Sequence, residues 1–167
     1  MSDIRTSIER DRGILKTIQL FVPGFRGYRI REDIRDSDML LRRQIASALE
    51  KTEKELEGLR RSLLNEGKVS DLESIGDTIN LMKKAEGKVK HGEHGYSGIS
   101  YRLRVNEEEL DRLYDIDMQL IDAVRSLEAA VHEGPSERTF SELRSLLMEV
   151  EDRMESRIPL ITEGQGV

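Results

Sequence analysis

The stretch that decides the fold is Pro23-Gly24-Phe25-Arg26-Gly27-Tyr28-Arg29-Ile30-Arg31, because it separates two long segments with helical patterning. Proline disfavours helical geometry in the residue before it, and glycine commonly ends a helix. The sequence therefore predicts one helix from about residue 3 to residue 22 and a second from about residue 28 to residue 65. The stretch also contains three arginines and no acidic residue, in a chain whose net charge is −6.

Both flanking helices are predicted from apolar residues that recur every three or four positions, which places them on one face of a helix. In the first helix this apolar stripe contains Ile4, Ile8, Leu15, Ile18 and Val22. In the second it contains Ile30, Ile34, Leu41, Ile45, Leu49, Thr52, Leu56, Leu59 and Leu63. At the rise of an α-helix the second helix would be about 55 Å long. Because it exceeds the other predicted helices, we expect part of it to extend beyond them or to pack on something else.

Three further helices are predicted from their capping residues and apolar stripes. The third follows Ser70 and the fourth follows Asn106, each with a glutamate three residues later that completes a capping box. They are expected to end near residues 90 and 132. The fifth follows Ser136 and is expected to end at Pro159. Residues 1–161 are thus expected to form a single domain, and residues 162–167 a flexible tail.

Helices with one apolar stripe each, joined mostly by short connections, are typical of an antiparallel bundle. The sequence therefore predicts an all-α fold, an up-and-down antiparallel helical bundle of about five helices with one long helix. An alternative arrangement is an elongated, coiled-coil-like helical hairpin that dimerises through the overhang of the second helix.

Up-and-down topology brings the connections after the first and third helices to the same end of the bundle. These are residues 23–31 and 91–104, and both are basic, aromatic and glycine-rich. One interpretation is that they pack on each other and close the core, with arginines stacked on the rings. The other is that they bind an anionic or phosphate-bearing ligand through arginine and backbone amides. The candidate ligand-binding residues are Arg26, Tyr28, Arg29, His94, Tyr96, Tyr101 and Arg102.

Three acidic residues, Asp11, Asp38 and Asp117, fall at positions that helical spacing assigns to apolar stripes. A buried carboxylate is costly unless it is paired. Di-iron bundles use Glu-x-x-His repeats on facing helices, and no such repeat occurs here, so no metal site is predicted. We expect these aspartates to be buried structural groups paired with nearby arginines. The candidate partners are Arg12, Arg35, Arg42, Arg43 and Arg125.

Composition narrows the possible classes of protein. The chain has no cysteine, which excludes disulfides and thiolate-bound metals and fits a reducing cytoplasm. No apolar run approaches the roughly 20 residues that span a bilayer, and the N-terminus does not have the pattern of a signal peptide. The acidic net charge argues against general nucleic-acid binding. Phosphate-binding loops, dinucleotide fingerprints and serine-hydrolase motifs are absent, so no cofactor and no catalytic residue is predicted.

A resemblance to a group of uncharacterised prokaryotic all-helical proteins rests on two short motifs. The first is Pro23-Gly24-Phe25-Arg26-Gly27-Tyr28 before a helix rich in Arg, Asp and Leu. The second is Gly95-Tyr96-Ser97-Gly98 followed by Leu113-Tyr114-Asp115-Ile116-Asp117. The resemblance covers about residues 8–125. That group has no assigned activity, so the resemblance implies a helical fold and supplies no catalytic residues.

These observations favour a non-enzymatic helical interaction or scaffold protein, with self-association through the second helix as one form of it. The alternative hypothesis is a bundle that binds a small anionic ligand at its aromatic and basic end. A third hypothesis is association of that end with an anionic membrane surface.

Overall fold

The computed structural model describes residues 2–92 and 100–163, and within these ranges it contains five α-helices and no β-strand. The helices are α1 (Ser2–Phe21), α2 (Arg31–Asn65), α3 (Leu72–His91), α4 (Glu107–Val131) and α5 (Glu137–Ile161). The predicted all-α bundle of about five helices with one long helix is confirmed. No described helix is long and apolar enough to cross a membrane.

Four of the helices form a closed ring, in which α2 packs on α3, α3 on α5, α5 on α4 and α4 on α2. Near the starts of α3 and α5, Ser74 Oγ donates a hydrogen bond to Glu137 Oε2 at 3.2 Å. Further along the same two helices, Lys88 pairs with Glu151. These two contacts show that α3 and α5 run parallel. The ring is therefore two antiparallel hairpins, α2–α3 and α4–α5, packed side by side, and α1 lies outside it against α4.

The long helix α2 is covered along its length, since its buried positions run from Ile34 to Leu63. Of the two expected outcomes, an overhang or packing on something else, the structure shows packing, on α3 and α4. In contrast to α2, helix α1 has an apolar stripe that is only partly covered. Its Ile18 is fully buried, whereas Ile4 and Ile8 are exposed.

The turn before α2 is longer than the sequence predicted, because α2 begins at Arg31 instead of residue 28. Gly24 and Gly27 have φ angles of 86° and 87°, in the left-handed region that L side chains rarely adopt. Ser37 Oγ donates to the carbonyl oxygen of Gly27 at 2.8 Å, which ties the turn to the first part of α2. Tyr28 is therefore held in a non-helical segment that points into the bundle.

Of the three predicted capping residues Ser70, Asn106 and Ser136, two are right and one is wrong. Asn106 accepts a hydrogen bond from the Glu109 amide at 2.8 Å, and Ser136 accepts one from the Thr139 amide at 3.1 Å. The predicted cap at Ser70 is wrong, because α3 starts at Leu72 after Asp71, which makes no side-chain capping bond. A capping-box pattern therefore does not by itself fix where a helix begins. Here the helix begins two residues later, at the first residue of its apolar stripe.

The predicted end of α5 at Pro159 is also wrong, because the helix continues to Ile161. Arg102 explains how the last turn is kept. Its Nη2 donates to the Pro159 carbonyl oxygen at 2.7 Å and its Nε to that of Thr162 at 3.1 Å. These bonds satisfy carbonyl groups that the end of a helix leaves without internal partners.

The segment after α5 pairs with the segment before α4. The Arg102 amide donates to the Ile161 carbonyl oxygen at 2.9 Å, and the Glu163 amide donates to that of Ser100 at 2.8 Å. Tyr101 and Thr162 form an isolated antiparallel bridge. Thr162 and Glu163, assigned from sequence to a flexible tail, are thus hydrogen-bonded, and residues 164–167 lie outside the described part of the chain.

Candidate functional site

Arg157, near the C-terminal end of α5, is the centre of a buried ionic network. Its Nε donates to Asp117 Oδ1 of α4 at 2.7 Å, and its Nη1 donates to Asp38 Oδ1 of α2 at 2.5 Å. Its Nη2 donates to the Tyr28 hydroxyl oxygen at 2.9 Å. All three guanidinium nitrogens therefore have an acceptor, and Arg157 is fully buried. The side chain of Arg157 therefore links α5 to α2, to α4 and to the turn before α2.

Asp38 extends the network toward α3 and toward residues 100–105. Its Oδ2 accepts from Arg42 Nε at 3.1 Å, one turn further along α2, and from the Tyr101 hydroxyl at 2.8 Å. Arg42 Nη1 in turn donates to the Val89 carbonyl oxygen of α3 at 3.3 Å. Two carboxylates thus face two guanidinium groups, a balance that a buried site requires.

Tyr28 brings the turn into contact with the centre of the network. Its hydroxyl donates a hydrogen bond to Asp117 Oδ2 while it accepts one from Arg157 Nη2. Its ring packs edge-on against Phe25, with 5.2 Å between ring centroids, and lies 5.8 Å from the ring of Tyr114. The two aromatic contacts and the two hydrogen bonds fix the orientation of the Tyr28 side chain.

Burial and charge act in opposite directions on the acids of the network. Burial raises the pKa of Asp117 above its ordinary value, an effect that Arg157 and the Tyr28 hydroxyl only partly offset. Burial acts in the same direction on Asp38, but Arg157 and Arg42 outweigh it and hold the pKa of Asp38 below its ordinary value. Burial also raises the pKa of Tyr28. As the pH falls, Asp117 is therefore the first of the two aspartates to take up a proton.

The predicted meeting of the two loops is observed for their described parts. Arg31 Nε donates to the Tyr101 carbonyl oxygen at 2.8 Å, so residues 23–31 and the end of the second loop lie at the same end of the bundle. Tyr28 and Tyr101 both bond to the buried network, the first through Asp117 and the second through Asp38. Tyr28 is therefore fully buried, and Tyr101 is half-buried.

The other candidate ligand-binding residues fall into three groups. Arg26 and Arg29 are exposed, and Arg26 lies 3.5 Å from Asp36 in a surface ion pair. Arg102 is half-buried, and its Nη1 donates to Glu109 Oε1 at 2.7 Å in addition to its bonds to the end of α5. His94 and Tyr96 lie outside the described residues.

The three aspartates predicted to be interior behave differently. Asp38 and Asp117 are buried and ion-paired, whereas Asp11 is only half-buried, because α1 lies on the outside of the ring. Among the arginines proposed as partners, Arg42 pairs with Asp38, while Arg35 pairs instead with the exposed Asp36 at 3.5 Å.

The central arginine, Arg157, is a residue that the sequence reasoning missed. The predicted stripe of α5 contains Phe140, Leu143, Leu147, Val150 and Met154, and Arg157 occupies the next position at helical spacing. An arginine on an apolar stripe is the same signal that identified the aspartates. Applied to basic residues as well, it would have found the partner of both acids.

The network has the properties of a structural element. Tyr28, Asp117 and Arg157 are each fully buried, so none of them is accessible to a substrate in this conformation. No group of three or more His, Asp or Glu side chains placed to hold a metal ion occurs among the described residues.

Comparison with known proteins finds no match: no family model, curated protein or solved structure matches this chain.

Proposed function

We propose that this chain is a non-enzymatic helical interaction protein that self-associates through the N-terminal half of α1. The proposal rests on the apolar stripe of α1, which is buried at its C-terminal end and exposed at its N-terminal end. Ile18 and Val22, at its C-terminal end, are 0% and 1% exposed, whereas Ile4 and Ile8 are 68% and 46% exposed. Residues 4–10 are all exposed, and Arg10, the last of them, pairs with Asp115 of α4 at 3.0 Å, so the apolar side chains of Ile4 and Ile8 remain largely uncovered.

The spacing of the stripe supports a helical partner. Ile4, Ile8, Asp11, Leu15 and Ile18 follow one another at intervals of four, three, four and three residues. This is the heptad pattern that packs one helix along another. Asp11, in the same stripe, is half-buried, so the uncovered part of the stripe consists of Ile4 and Ile8.

Charge supports a second copy of the same segment as the partner. Residues 4–12 contain the basic residues Arg5, Arg10 and Arg12 and the acidic residues Glu9 and Asp11, which nearly balance. The whole chain has a net charge of −6, so two copies repel each other on average. A contact between two α1 segments, which are nearly neutral, adds little to this repulsion.

The long helix α2, the first candidate for self-association from sequence, is no longer the favoured surface. Its apolar stripe is buried from Ile34 to Leu63 within the chain itself, except for the half-buried Leu59. The exposed stripe of α1 is short, and a contact built on two isoleucines from each copy is smaller than a standard interface. We therefore expect association to be weak and concentration-dependent.

Sedimentation velocity over a wide range of protein concentrations tests this proposal. The wild-type chain should show a monomer–dimer equilibrium, and Ile8→Asp should shift it to monomer because a charge would be buried at the contact. Met148→Asp is the matched control, since Met148 is 68% exposed on α5, away from α1. Higher salt should strengthen association, because it screens the repulsion between two acidic copies.

Three results would contradict the proposal. They are a wild-type chain that is monomeric at every concentration, a dimer that Ile8→Asp and Met148→Asp weaken equally, and a dimer that salt dissociates. Circular dichroism spectra of both variants establish that the exposed substitutions leave the helices intact.

A further inference from the structure

A groove of about 410 Å³ lies between the last turns of α3 and the C-terminal half of α5. Its volume is within the range of small-molecule sites in proteins. Its apolar walls are formed by Val89, Met154 and Ile158, and Arg42 lines it from α2. Residues 93–99, which follow α3, lie outside the described residues.

Arg42 supplies the polar group of this groove. Its side chain is buried, at 5% exposure, and its hydrogen bonds use Nε, to Asp38, and Nη1, to the Val89 carbonyl oxygen. A guanidinium group has five N–H donors, and Nη2 donates to no acceptor among the described residues. Among the described residues Nη2 is not a fully buried, unpartnered atom, so it is accessible from the groove and can donate to an acceptor that enters there.

Because Gly92 has no side chain, the Arg42 guanidinium group can lie close to the backbone at the end of α3. A Cβ atom at position 92 would overlap Arg42 Nη1 and would lie 3.0 Å from the Lys88 carbonyl oxygen. Glycine at the end of α3 therefore leaves the space in which the guanidinium group sits, at the edge of the groove.

The rim of the groove limits the charge of a ligand. Lys88 on the rim is already paired with Glu151, and Glu155 also lines the groove. These two acids repel a doubly charged phosphate more strongly than a single carboxylate. A guanidinium group binds a carboxylate through charge-assisted N–H donors, and Nη2 is the nitrogen of Arg42 that donates to no described acceptor.

We propose that this groove binds a small amphiphilic monocarboxylate, whose carboxylate accepts hydrogen bonds from Arg42 and whose apolar body lies on Met154 and Ile158. This site is separate from the α1 surface, and neither proposal depends on the other. The ligand class differs from the phosphate-bearing partner predicted from the loop residues, because the groove walls are apolar and its rim is acidic.

Titration with n-octanoate, followed by the NMR methyl resonances of Val89, Met154 and Ile158, tests the proposal. Octan-1-ol and n-octylammonium are the controls for the same apolar body without the carboxylate. Octanoate should bind with saturation and at least about tenfold more tightly than either control, as expected for charge-assisted hydrogen bonds. Equal binding of the three compounds, or no saturable shift with octanoate, would overturn the proposal.

An isosteric pair of variants isolates the charge preference without touching the buried network. The Ile158 side chain is half-buried at the groove, and only its backbone carbonyl bonds to Thr162. Ile158→Glu should weaken octanoate binding at least about tenfold relative to Ile158→Gln, because only the former places a like charge beside the carboxylate. Equal affinities of the two variants would contradict the proposed pose. Sedimentation of both variants should match the wild-type chain, which keeps this test separate from that of self-association.

Discussion

Arg157 Nη2 donates to the Tyr28 hydroxyl oxygen at 2.9 Å, although the two residues are 129 positions apart in the chain. This hydrogen bond joins the last helix of the bundle to the turn that precedes its longest helix. Because Arg157 also bonds to Asp38 and Asp117, the turn, α2, α4 and α5 share one buried contact. The most informative predictions concern this contact.

Arg157→Met should destabilise the fold strongly, because it leaves Asp38 and Asp117 buried without their common partner. Breaking a buried pair in this way costs about 3–5 kcal/mol. Urea unfolding followed by circular dichroism measures the change. Arg144→Met is the control, since Arg144 pairs with the exposed Glu137, and a surface pair is worth about 0–1 kcal/mol. Equal losses in the two variants would show that the network does not stabilise the bundle.

Tyr28→Phe should destabilise the fold by about 1–3 kcal/mol, the cost of leaving buried polar groups without a partner. The ring contacts with Phe25 and Tyr114 remain, so the effect reports the hydroxyl group alone. A double-mutant cycle with Asp117→Asn measures the coupling directly. Because the two groups share a hydrogen bond, their effects should not add. If the effects of the two substitutions on stability add to within about 0.5 kcal/mol, the hydrogen bond between Tyr28 and Asp117 contributes no coupling energy.

The pH dependence of stability should differ in sign between the two aspartates. The pKa of Asp38 is depressed in the folded state, so its contribution is present above about pH 4, the unfolded pKa, and is lost as the pH falls through the folded value. The pKa of Asp117 is raised, so its contribution is present below about pH 4 and is lost as the pH rises through the folded value.

Urea unfolding of the wild-type chain, Asp38→Asn and Asp117→Asn at a series of pH values separates these contributions. The stability lost in Asp38→Asn should shrink as the pH is lowered below about 4, where the unfolded carboxyl group is protonated. The stability lost in Asp117→Asn should instead shrink as the pH is raised. Slopes of the same sign for both variants would refute the assigned directions.

Gly27→Ala should cost more stability than Gly24→Ala, although the two glycines have nearly the same backbone conformation. Both φ angles are positive, so each alanine carries a backbone penalty of about 1–2 kcal/mol. At position 27 the added Cβ would also lie 2.8 Å from the Tyr114 hydroxyl oxygen, whereas at position 24 the nearest atom is 3.6 Å away. Thermal melting of both variants measures the difference, and equal melting temperatures would rule out the steric part.

Much of this structure could be predicted from local patterns, and the failures have identifiable physical causes. Asn106 and Ser136 were found as caps because capping depends on residues three positions apart. The prediction that α5 ends at Pro159 is wrong because the hydrogen bond to the Pro159 carbonyl oxygen comes from Arg102, which is distant in sequence. The burial of Asp38 and Asp117 followed from helical spacing, whereas the choice of Arg157 as their partner depended on which helices meet.

The sequence by itself determined the five helices, their order, the break after the first helix at Pro23 and Gly24, and the burial of Asp38 and Asp117. Each of these follows from periodicity, capping or glycine and proline geometry, which act over a few residues. Only the tertiary structure decided that Tyr28 and Tyr101 bond to the buried network, that α2 is covered and α1 is not, and that Arg42 lines a groove. Those outcomes depend on how helix faces pair across the bundle, and the free energy of that pairing is a property of contacts between residues far apart in the chain.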